Sequence, residues 1–423
     1  MAQEGLGRLI VEGGHALHGN IRVNGSKNAA MGAMAAALLV EEDCVLHNVP
    51  DIGDVEQMAR VLRSLGGSID WQARNVLRIN AAGLNSSTAP TDIVGNLRGS
   101  FLVMGALLGR LGEAACAPPG GDVIGQRPID VHLAGFAALG ADVARDAEKY
   151  MARADRLTGA TVFCDYPSVL GTQNLMLAAV TAEGTTTIVN AAAEPEVQGT
   201  AAMLQSMGAK IAGAGSHTIV VEGTDRLHGT EYEIIPDRLE AGTFAIAGAI
   251  TRGEVRVEGA CLEHLTSLIF KLREMGVDIV SEDETLWVRG VPGKLRATSI
   301  QALPYPGLAT DLQAPVAVLL TQAHGVSYVH ERVFDNRLLY AGELRKLGAD
   351  VVTTGTTTAI ISGPTPLVGA SVRALDVRAG AALILAGLAA SGRTEITDIY
   401  HVDRGYEHID ERLRSLGAVI ERA

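Results

Sequence analysis

The eight residues LRSLGGSI, at positions 62–69, are the first of six related stretches that organise this 423-residue chain. In each copy an apolar first residue is followed by Leu or Met, then Gly, then a β-branched last residue. The other copies are FAALGADV, LQSMGAKI, LREMGVDI, LRKLGADV and LRSLGAVI, at residues 136–143, 204–211, 272–279, 344–351 and 413–420. Six units of about 70 residues therefore account for the whole chain.

Each copy predicts the end of an amphipathic helix, a Gly C-cap and the start of a β-strand. A second helix of small and aliphatic residues is predicted ahead of each copy. These apolar runs are Ala29–Val40, Phe101–Leu111, Leu175–Ala182, Phe244–Ile250, Ala314–Leu320 and Ala381–Ala389. Because they are apolar on every face, we expect them to be buried all round, whereas the alternating strands can face water. The sequence therefore predicts an α/β protein of two inside-out domains, each of three repeats with buried helices and outer sheets.

The domain boundary is expected near Tyr232–Pro236, where the six units divide into three and three. One predicted domain comprises residues 26–235, and the other comprises residues 1–25 and 236–423. The Pro- and Gly-rich loop 116–127 is predicted to be a mobile loop of the first domain. An ordinary multi-domain α/β protein is the alternative, but it would not explain six matched units.

Composition excludes several classes of protein. With 48 Asp and Glu against 35 Lys and Arg, the net charge of −13 argues against nucleic-acid and anionic-membrane binding. No apolar run reaches the roughly 18 residues of a membrane span, and the acidic N-terminus does not resemble a secretory signal. The four Cys are scattered without CxxC spacing, which indicates neither a disulfide framework nor a zinc site. A cytoplasmic protein is expected.

Charged residues precede the apolar helices. Lys27, Arg98 and Arg378 each stand just ahead of an apolar run, where the helix dipole disfavours a cation. Either a salt bridge to a carboxylate or a bound anion would compensate for this placement. Its recurrence in three repeats favours the anion, and helix ends from two halves would then form a cleft for an anionic substrate.

Seven motifs, in order along the chain, resemble the family of UDP-N-acetylglucosamine enolpyruvyl transferases (1-carboxyvinyltransferases). They are NGSKNAA (24–30), PGGDVIGQRPID (119–130), PDR (236–238), TDLQ (310–313), VFDNR (333–337), DVR (376–378) and YHVDRGY (400–406). The resemblance runs from about Leu9 to Arg422 and implies the inside-out two-domain fold. It also implies transfer of enolpyruvyl from phosphoenolpyruvate to the 3-hydroxyl of the aminosugar, with release of phosphate. This reaction is the first committed step of peptidoglycan synthesis.

The resemblance also implies the binding residues. Phosphoenolpyruvate carries a carboxylate and a phosphate, and Arg suits bidentate capture of either group, while Lys acts as a point charge. The residues implied for phosphoenolpyruvate are Lys27, Asn28, Arg98, Arg127, Arg378 and Arg404. Those implied for the UDP-sugar are Asn28, Arg98, Arg127, Pro128, Ile129, Asp130, Ser168, Val169, Asp311, Val333 and Arg337. No metal or other cofactor is implied, and the Gly-rich stretches match neither ATP nor NAD patterns.

The implied catalytic residues are Lys27, Asp122, Asp311 and Arg404. Addition and elimination through a tetrahedral ketal require a base for the sugar hydroxyl, and Asp311 is the candidate. From the residues alone, an Asp N-cap is the alternative for Asp311. Asp122 stands where most family members carry a Cys that acts as general acid and is alkylated by fosfomycin. A carboxyl group can donate a proton but cannot form the thioether, so fosfomycin insensitivity is expected; a plain turn residue is the alternative.

Four positions depart from the family pattern, namely Gly53, Leu102, Leu170 and Ala193. They leave open a paralogue that transfers enolpyruvyl to another nucleotide in secondary metabolism. A catalytically silent binding module is a third interpretation. Retention of the charged site residues argues against it, because a silent protein would not need all of them.

Overall fold

A computed structural model describes residues 7–146, 148–290 and 295–423. The chain divides into two compact units. Unit 1 comprises Met1–Asn24, Asp122–Arg127 and Pro236–Ala423, and unit 2 comprises Gly25–Gly121 and Pro128–Ile235. The sequence predicts that the whole loop 116–127 belongs with residues 26–235, whereas Asp122–Arg127 groups with unit 1. Contacts of this short segment, given below, explain the difference.

The strands of the described residues are short, and each repeat contributes three or four of them. In chain order they are β1 Leu9–Glu12, β2 His18–Arg22, β3 Cys44–His47, β4 Ser68–Ala73, β5 Val76–Asn80, β6 Glu113–Cys116, β7 Asp142–Arg145, β8 Tyr150–Arg153, β9 Thr161–Phe163, β10 Thr185–Val189, β11 Lys210–Ala212, β12 Thr218–Glu222, β13 Glu231–Glu233, β14 Glu254–Glu258, β15 Asp278–Glu282, β16 Thr285–Arg289, β17 Ile300–Ala302, β18 Gly325–Glu331, β19 Asp350–Thr354, β20 Thr358–Gly363, β21 Ser371–Arg373, β22 Arg393–Thr397 and β23 Val419–Arg422.

Two kinds of helix alternate along the chain, one apolar and one amphipathic. The α-helices are α1 Lys27–Ala36, α2 Gly53–Ser64, α3 Thr91–Val94, α4 Val103–Leu111, α5 Asp130–Ala138, α6 Val169–Ala179, α7 Pro195–Ser206, α8 Arg238–Ile250, α9 Thr266–Glu274, α10 Thr310–Leu320, α11 Tyr340–Lys346, α12 Val377–Ala389, α13 Tyr400–Asp403 and α14 Ile409–Ser415. Three 3-10 helices span Ala37–Leu39, Arg98–Leu102 and Leu262–Leu265.

Each unit has three small sheets. Those of unit 1 have the strand orders β21-β22-β1-β23, β15-β16-β14-β2 and β17-β18-β20-β19. Those of unit 2 have the orders β11-β12-β10-β9, β13-β3-β5-β4 and β6-β8-β7. Most mix one parallel pair with antiparallel pairs: Glu254 of β14 is paired in parallel with His18 and antiparallel with Arg289. The N-terminal strands β1 and β2 thereby complete sheets of unit 1.

The apolar helices form the centre of each unit, as the sequence predicts. In unit 1, α8, α10 and α12 pack against one another, and every residue of α8 from Leu239 to Ile250 is buried. In unit 2, α4 packs on α6, and α1 and α6 pack on α7. Small residues permit the close approach, since a Cβ on Gly242 of α8 would lie 2.7 Å from Leu312 of α10. The inside-out α/β prediction is confirmed. None of the helices in the described residues is long and apolar enough to cross a membrane.

The six repeated glycines end their helices as predicted. All six adopt left-handed backbone angles, with φ between 91° and 106°, and they are Gly66, Gly140, Gly208, Gly276, Gly348 and Gly417. In the first copy, the Gly66 N–H donates to Arg63 O and the Gly67 N–H donates to Leu62 O, both at 3.0 Å. The same two bonds recur in the other five copies, which defines a Schellman motif.

Replacing two of these glycines by Ala should separate backbone strain from steric clash. At Gly140 an added Cβ meets nothing within 4 Å, so Gly140→Ala should cost only the left-handed strain of about 1–2 kcal/mol. At Gly66 the Cβ would lie 2.2 Å from Gly83 O, so Gly66→Ala should lower the thermal midpoint further. Gly342→Ala, inside α11 with open space around it, is the control and should not destabilise. Equal melting of Gly140→Ala and wild type would contradict the strain argument.

Candidate active site

Asp311 lies at the centre of a charged cluster in unit 1. It is the second residue of α10, whose N-cap is Ala309, so the N-cap alternative for Asp311 is wrong. Its Oδ1 accepts a hydrogen bond from Arg337 Nη2 at 2.7 Å, and its Oδ2 accepts one from Arg378 Nε at 2.9 Å. Both arginine side chains are 3% exposed, whereas that of Asp311 is 24% exposed. The carboxylate therefore bridges two buried cations and remains partly accessible.

Arg378 is held in place from several sides. Asp376 caps α12, since its Oδ1 accepts from Arg378 N at 2.8 Å and from Ala379 N at 3.0 Å. The Arg378 guanidinium carbon lies 5.1 Å from the centre of the Tyr406 ring. Burial lowers the pKa of Arg378, but nearby Tyr406 and Asp311 outweigh burial and hold this pKa well above its ordinary value. Arg378 is therefore a fixed cation beside the Asp311 carboxylate.

A second cluster forms around Asp122, at the segment of the loop that groups with unit 1. Asp122 Oδ1 accepts a hydrogen bond from Arg404 Nη1 at 2.8 Å, and His401 Nδ1 lies 3.9 Å from the same oxygen. Arg127 Nη2 donates to the Asp122 backbone carbonyl at 2.7 Å, and Asn336 N donates to Ile124 O at 3.2 Å. These bonds explain why Asp122–Arg127 belongs with unit 1. They also give the Asp122 side chain a charged partner that a plain turn residue would not need.

Arg127 connects the two clusters electrostatically. Burial lowers the pKa of Arg127, as do the charges of Arg337 and Arg404, whereas Asp122 and Asp311 raise it. Four guanidinium groups and two carboxylates thus interact within unit 1. We call these six residues the arginine cluster: Asp122, Arg127, Asp311, Arg337, Arg378 and Arg404. Its formal charge is +2, from four cations and two anions, which suits a small anion bearing more than one charge.

The predicted site residues of unit 2 share a different feature, a place at the start of a helix. Lys27 and Asn28 begin α1, and Arg98 begins its 3-10 helix. Pro128, Ile129 and Asp130 lead into α5, and Ser168 caps α6 by accepting from Gly171 N at 3.1 Å, with Val169 as the first helical residue. The backbone N–H groups at such helix starts favour anions.

Lys27 has a counter-charge that the sequence analysis did not single out. Its Nζ donates to Asp54 Oδ2 at 2.8 Å, and Asp54 is almost fully buried in the first turn of α2. A salt bridge to a carboxylate therefore compensates for the cation Lys27 at the start of α1. Asp311 compensates in the same way for Arg378 at the start of α12. The sequence signal for this counter-charge was Asp54 itself, an acidic residue directly after Gly53.

Glu331 is a second residue that sequence reasoning missed. It is the last residue of β18 and is buried, and it accepts hydrogen bonds from Thr310 Oγ1 at 2.8 Å and Val333 N at 2.8 Å. Burial raises the pKa of Glu331, whereas these hydrogen bonds lower it. Glu331 thereby ties the segment that carries Val333 and Arg337 to the start of α10. Its place two residues ahead of the VFDNR motif was the only sequence signal.

No group of three or more His, Cys, Asp or Glu residues could hold a metal ion, within residues 7–146, 148–290 and 295–423. The charged side chains of the site pair with one another instead. The site therefore offers cations, carboxylates and helix N-termini as its chemical groups.

Comparison with known proteins gives matches over nearly the whole chain. The family model described as EPSP synthase (3-phosphoshikimate 1-carboxyvinyltransferase) matches residues 11–413. A UDP-N-acetylglucosamine 1-carboxyvinyltransferase of Finegoldia magna is 46% identical over 408 residues, 96% of each chain. One of Gloeobacter violaceus is 48% identical over 418 residues, which covers 98% of this chain and 90% of that one.

Solved structures agree with these matches. The enolpyruvyl transferase NikO of Streptomyces tendae superposes with a TM-score of 0.89 at 28% identity, covering 99% of both chains. An EPSP synthase of Acinetobacter baumannii superposes with a TM-score of 0.77 at 20% identity, covering 99% of this chain and 100% of that one. At 20% identity, the similarity to this EPSP synthase concerns the fold alone.

Proposed function

Because the chain belongs to the EPSP synthase family, we propose that it transfers enolpyruvyl from phosphoenolpyruvate to the 3-hydroxyl of UDP-N-acetylglucosamine and releases phosphate. This transferase reaction is the first committed step of peptidoglycan synthesis. The observation that carries the proposal is the arginine cluster, in a chain 46% and 48% identical to relatives named for this reaction. We place the activity in the cytoplasm, because both substrates are charged metabolites that cells retain there.

The charge of the arginine cluster supports binding of phosphoenolpyruvate. Its excess of two positive charges complements a molecule that carries both a carboxylate and a phosphate. The proposed phosphoenolpyruvate residues are Lys27, Asn28, Arg98, Arg127, Arg378 and Arg404. Three of them belong to unit 1 and three to unit 2.

The helix starts of unit 2 support binding of a nucleotide diphosphate. Backbone N–H groups at the beginning of α1, α5 and α6 can donate hydrogen bonds to phosphate oxygens. The proposed UDP-sugar residues are Asn28, Arg98, Arg127, Pro128, Ile129, Asp130, Ser168, Val169, Asp311, Val333 and Arg337. In unit 1, Glu331 fixes the backbone at Val333, and Asp311 fixes the guanidinium of Arg337.

The two carboxylates of the cluster have complementary roles in the proposed mechanism. Asp311 removes the proton of the sugar 3-hydroxyl as its oxygen attacks C2 of phosphoenolpyruvate, and Asp122 protonates C3. The resulting tetrahedral ketal then loses a proton from C3 to Asp122 and expels phosphate, which takes up the proton that Asp311 removed from the hydroxyl. Lys27 and Arg404 stabilise the negative charge that grows on the departing phosphate. Two salt bridges orient the two oxygens of Asp311, so that the base is held in one position.

A panel of acceptors tests this proposal. Phosphate release from phosphoenolpyruvate is measured with UDP-N-acetylglucosamine, UMP or shikimate 3-phosphate as acceptor, and the product is identified by mass spectrometry. We expect release only with UDP-N-acetylglucosamine. Faster release with UMP would assign the chain to a paralogous activity, and no release with any acceptor would assign it to a silent protein.

Arg404→Ala should weaken phosphoenolpyruvate binding by about 2–5 kcal/mol, because it removes a desolvated charge partner of the anion. The measurement is the phosphoenolpyruvate Kd by calorimetry without the acceptor sugar, so that no turnover consumes the ligand. Arg393→Ala, an exposed arginine on β22 of the same unit, is the matched control and should leave the Kd unchanged. An unchanged Kd in Arg404→Ala would remove this residue from the proposed site.

A further inference from the structure

His401 occupies an unusual position next to the proposed acid. It lies on the short helix α13, with its ring 4.1 Å from the ring of Tyr400. Its Nδ1 is buried and has no hydrogen-bond partner within the described parts of the chain. The same atom lies 3.9 Å from Asp122 Oδ1, which is close enough for a small side-chain rotation to form a hydrogen bond.

Four charged groups act on the His401 ring. Burial is the largest influence and, together with Arg404, holds the pKa of His401 below its ordinary value, although Asp122, Asp376 and Asp398 raise it. All three carboxylates have a partner, because Asp376 caps α12, Asp398 is paired with Arg373 and Asp122 accepts from Arg404, but only Asp122 has an oxygen near the ring nitrogen, at 3.9 Å. Asp122 is therefore the carboxylate within reach of the ring nitrogen.

The proposed mechanism leaves a difficulty that this neighbour resolves. Asp122 must deliver a proton to C3, yet its Oδ1 is already occupied by a hydrogen bond from the Arg404 guanidinium at 2.8 Å. A buried base beside the same oxygen could hold that proton and return it to the carboxylate. His401 is the group placed to do so.

We propose that His401 is a positioning residue that shares one proton with Asp122; this inference rests on the proposed function. The proton moves from His401 Nδ1 to Asp122 Oδ1, and Asp122 passes it to C3 during addition. During elimination the Asp122 carboxylate takes a proton from C3 and shares it again with Nδ1. Both residues therefore end each turnover in their starting state, and no further reactant is needed.

Substrate charge strengthens the pairing. The carboxylate and phosphate of phosphoenolpyruvate are negative, and negative charge nearby favours the protonated state of the His401–Asp122 pair. Once the anion binds, the Arg404 guanidinium interacts with both the substrate and Asp122, so its interaction with Asp122 becomes weaker. Binding of phosphoenolpyruvate therefore favours the protonated His401–Asp122 pair, which is the state that can donate a proton to C3.

Kinetics of two His401 variants test the proposal. His401→Asn keeps a polar group near the Nδ1 position, and His401→Phe keeps the ring on Tyr400, but neither can titrate. For both we expect kcat to fall by about 10- to 100-fold while the KM for phosphoenolpyruvate changes by less than about threefold. The alkaline limb of the kcat profile should move to lower pH by about one unit, because a proton shared between two coupled groups is retained to higher pH than one held by a single group. If kcat falls by the same factor at every pH and the alkaline limb does not move, the proposal is wrong and His401 has only a packing role.

Two further comparisons isolate the pair. In an Asp122→Asn background, His401→Asn should change the residual rate by less than about threefold, since no acid remains to be supplied. An undiminished effect there would refute the shared proton. His408→Asn is the matched control, because His408 is exposed and adopts a left-handed backbone that Asn tolerates, and it should leave activity unchanged.

A titration without turnover separates this inference from the proposed function. The His401 ring is followed by NMR against pH in wild type and in Asp122→Asn. Loss of the carboxylate should lower the imidazole pKa by about one unit. An unmoved His401 titration would refute the pairing even if the enzyme makes product, whereas a shifted titration with no product would leave the pair intact and refute the function.

Discussion

Asp311→Asn should lower kcat by about 10²- to 10⁴-fold, because it removes the base that activates the sugar hydroxyl. The KM for phosphoenolpyruvate should change much less, since the cations that bind the anion are retained. Single-turnover phosphate release with UDP-N-acetylglucosamine is the measurement. Asp350→Asn, an exposed carboxylate on β19, is the control and should have wild-type kinetics. Unchanged turnover in Asp311→Asn would remove this residue from the mechanism.

The choice of Asn rather than Ala follows from the two salt bridges of Asp311. Asp311→Ala would leave the buried guanidinium groups of Arg337 and Arg378 without this partner. Uncompensated buried charges of this kind cost about 3–5 kcal/mol of stability. Asp311→Asn also removes the negative charge, but its amide oxygen can still accept a hydrogen bond from one guanidinium, so Asp311→Ala should melt at the lower temperature and mix a larger folding defect with the catalytic one.

Fosfomycin should leave the wild-type enzyme fully active, whereas Asp122→Cys should be inactivated with time. The inhibitor's epoxide requires a thiolate, and a carboxylate at position 122 is a weaker nucleophile that cannot form the thioether. In Asp122→Cys the new thiol would stand beside the Arg404 guanidinium, which favours the reactive thiolate. Intact-mass spectrometry after incubation with excess inhibitor should show one adduct on Asp122→Cys and none on wild type or Asp122→Ser.

Three of the four native cysteines, all but the partly exposed Cys261, are buried and should not substitute for the missing thiol. Burial raises the pKa of Cys44 and of Cys164 to about 11 and that of Cys116 to about 12. Cys116, which is nearest to Asp122 in sequence, is the last residue of β6 and is fully buried. An adduct on any native cysteine, with loss of activity, would show that the loop assignment is wrong. Full activity in Asp122→Asn would refute the acid role while leaving the resistance argument untouched.

The architecture could be predicted from the sequence because its signals are local. Whether a helix such as α8 is apolar on every face depends on residues a few positions apart, and burial of that helix follows directly. The glycine at each helix end likewise acts on the turn that it terminates. Gly66 and its five counterparts therefore marked six helix ends correctly before any packing was known.

The charge pairs of the site depend instead on the path of the chain. Asp122 and Arg404 are 282 residues apart, and Asp311 and Arg378 are 67 apart, so no local pattern connects either pair. The sequence motifs identified these residues individually and did not show which of them pair. Only the tertiary structure shows that the segment Asp122–Arg127 belongs with unit 1, and that Asp311 bridges two buried arginines rather than capping its helix. Local backbone and burial preferences fix the repeats, whereas the pairing of distant charges is fixed by how the completed repeats pack within each unit.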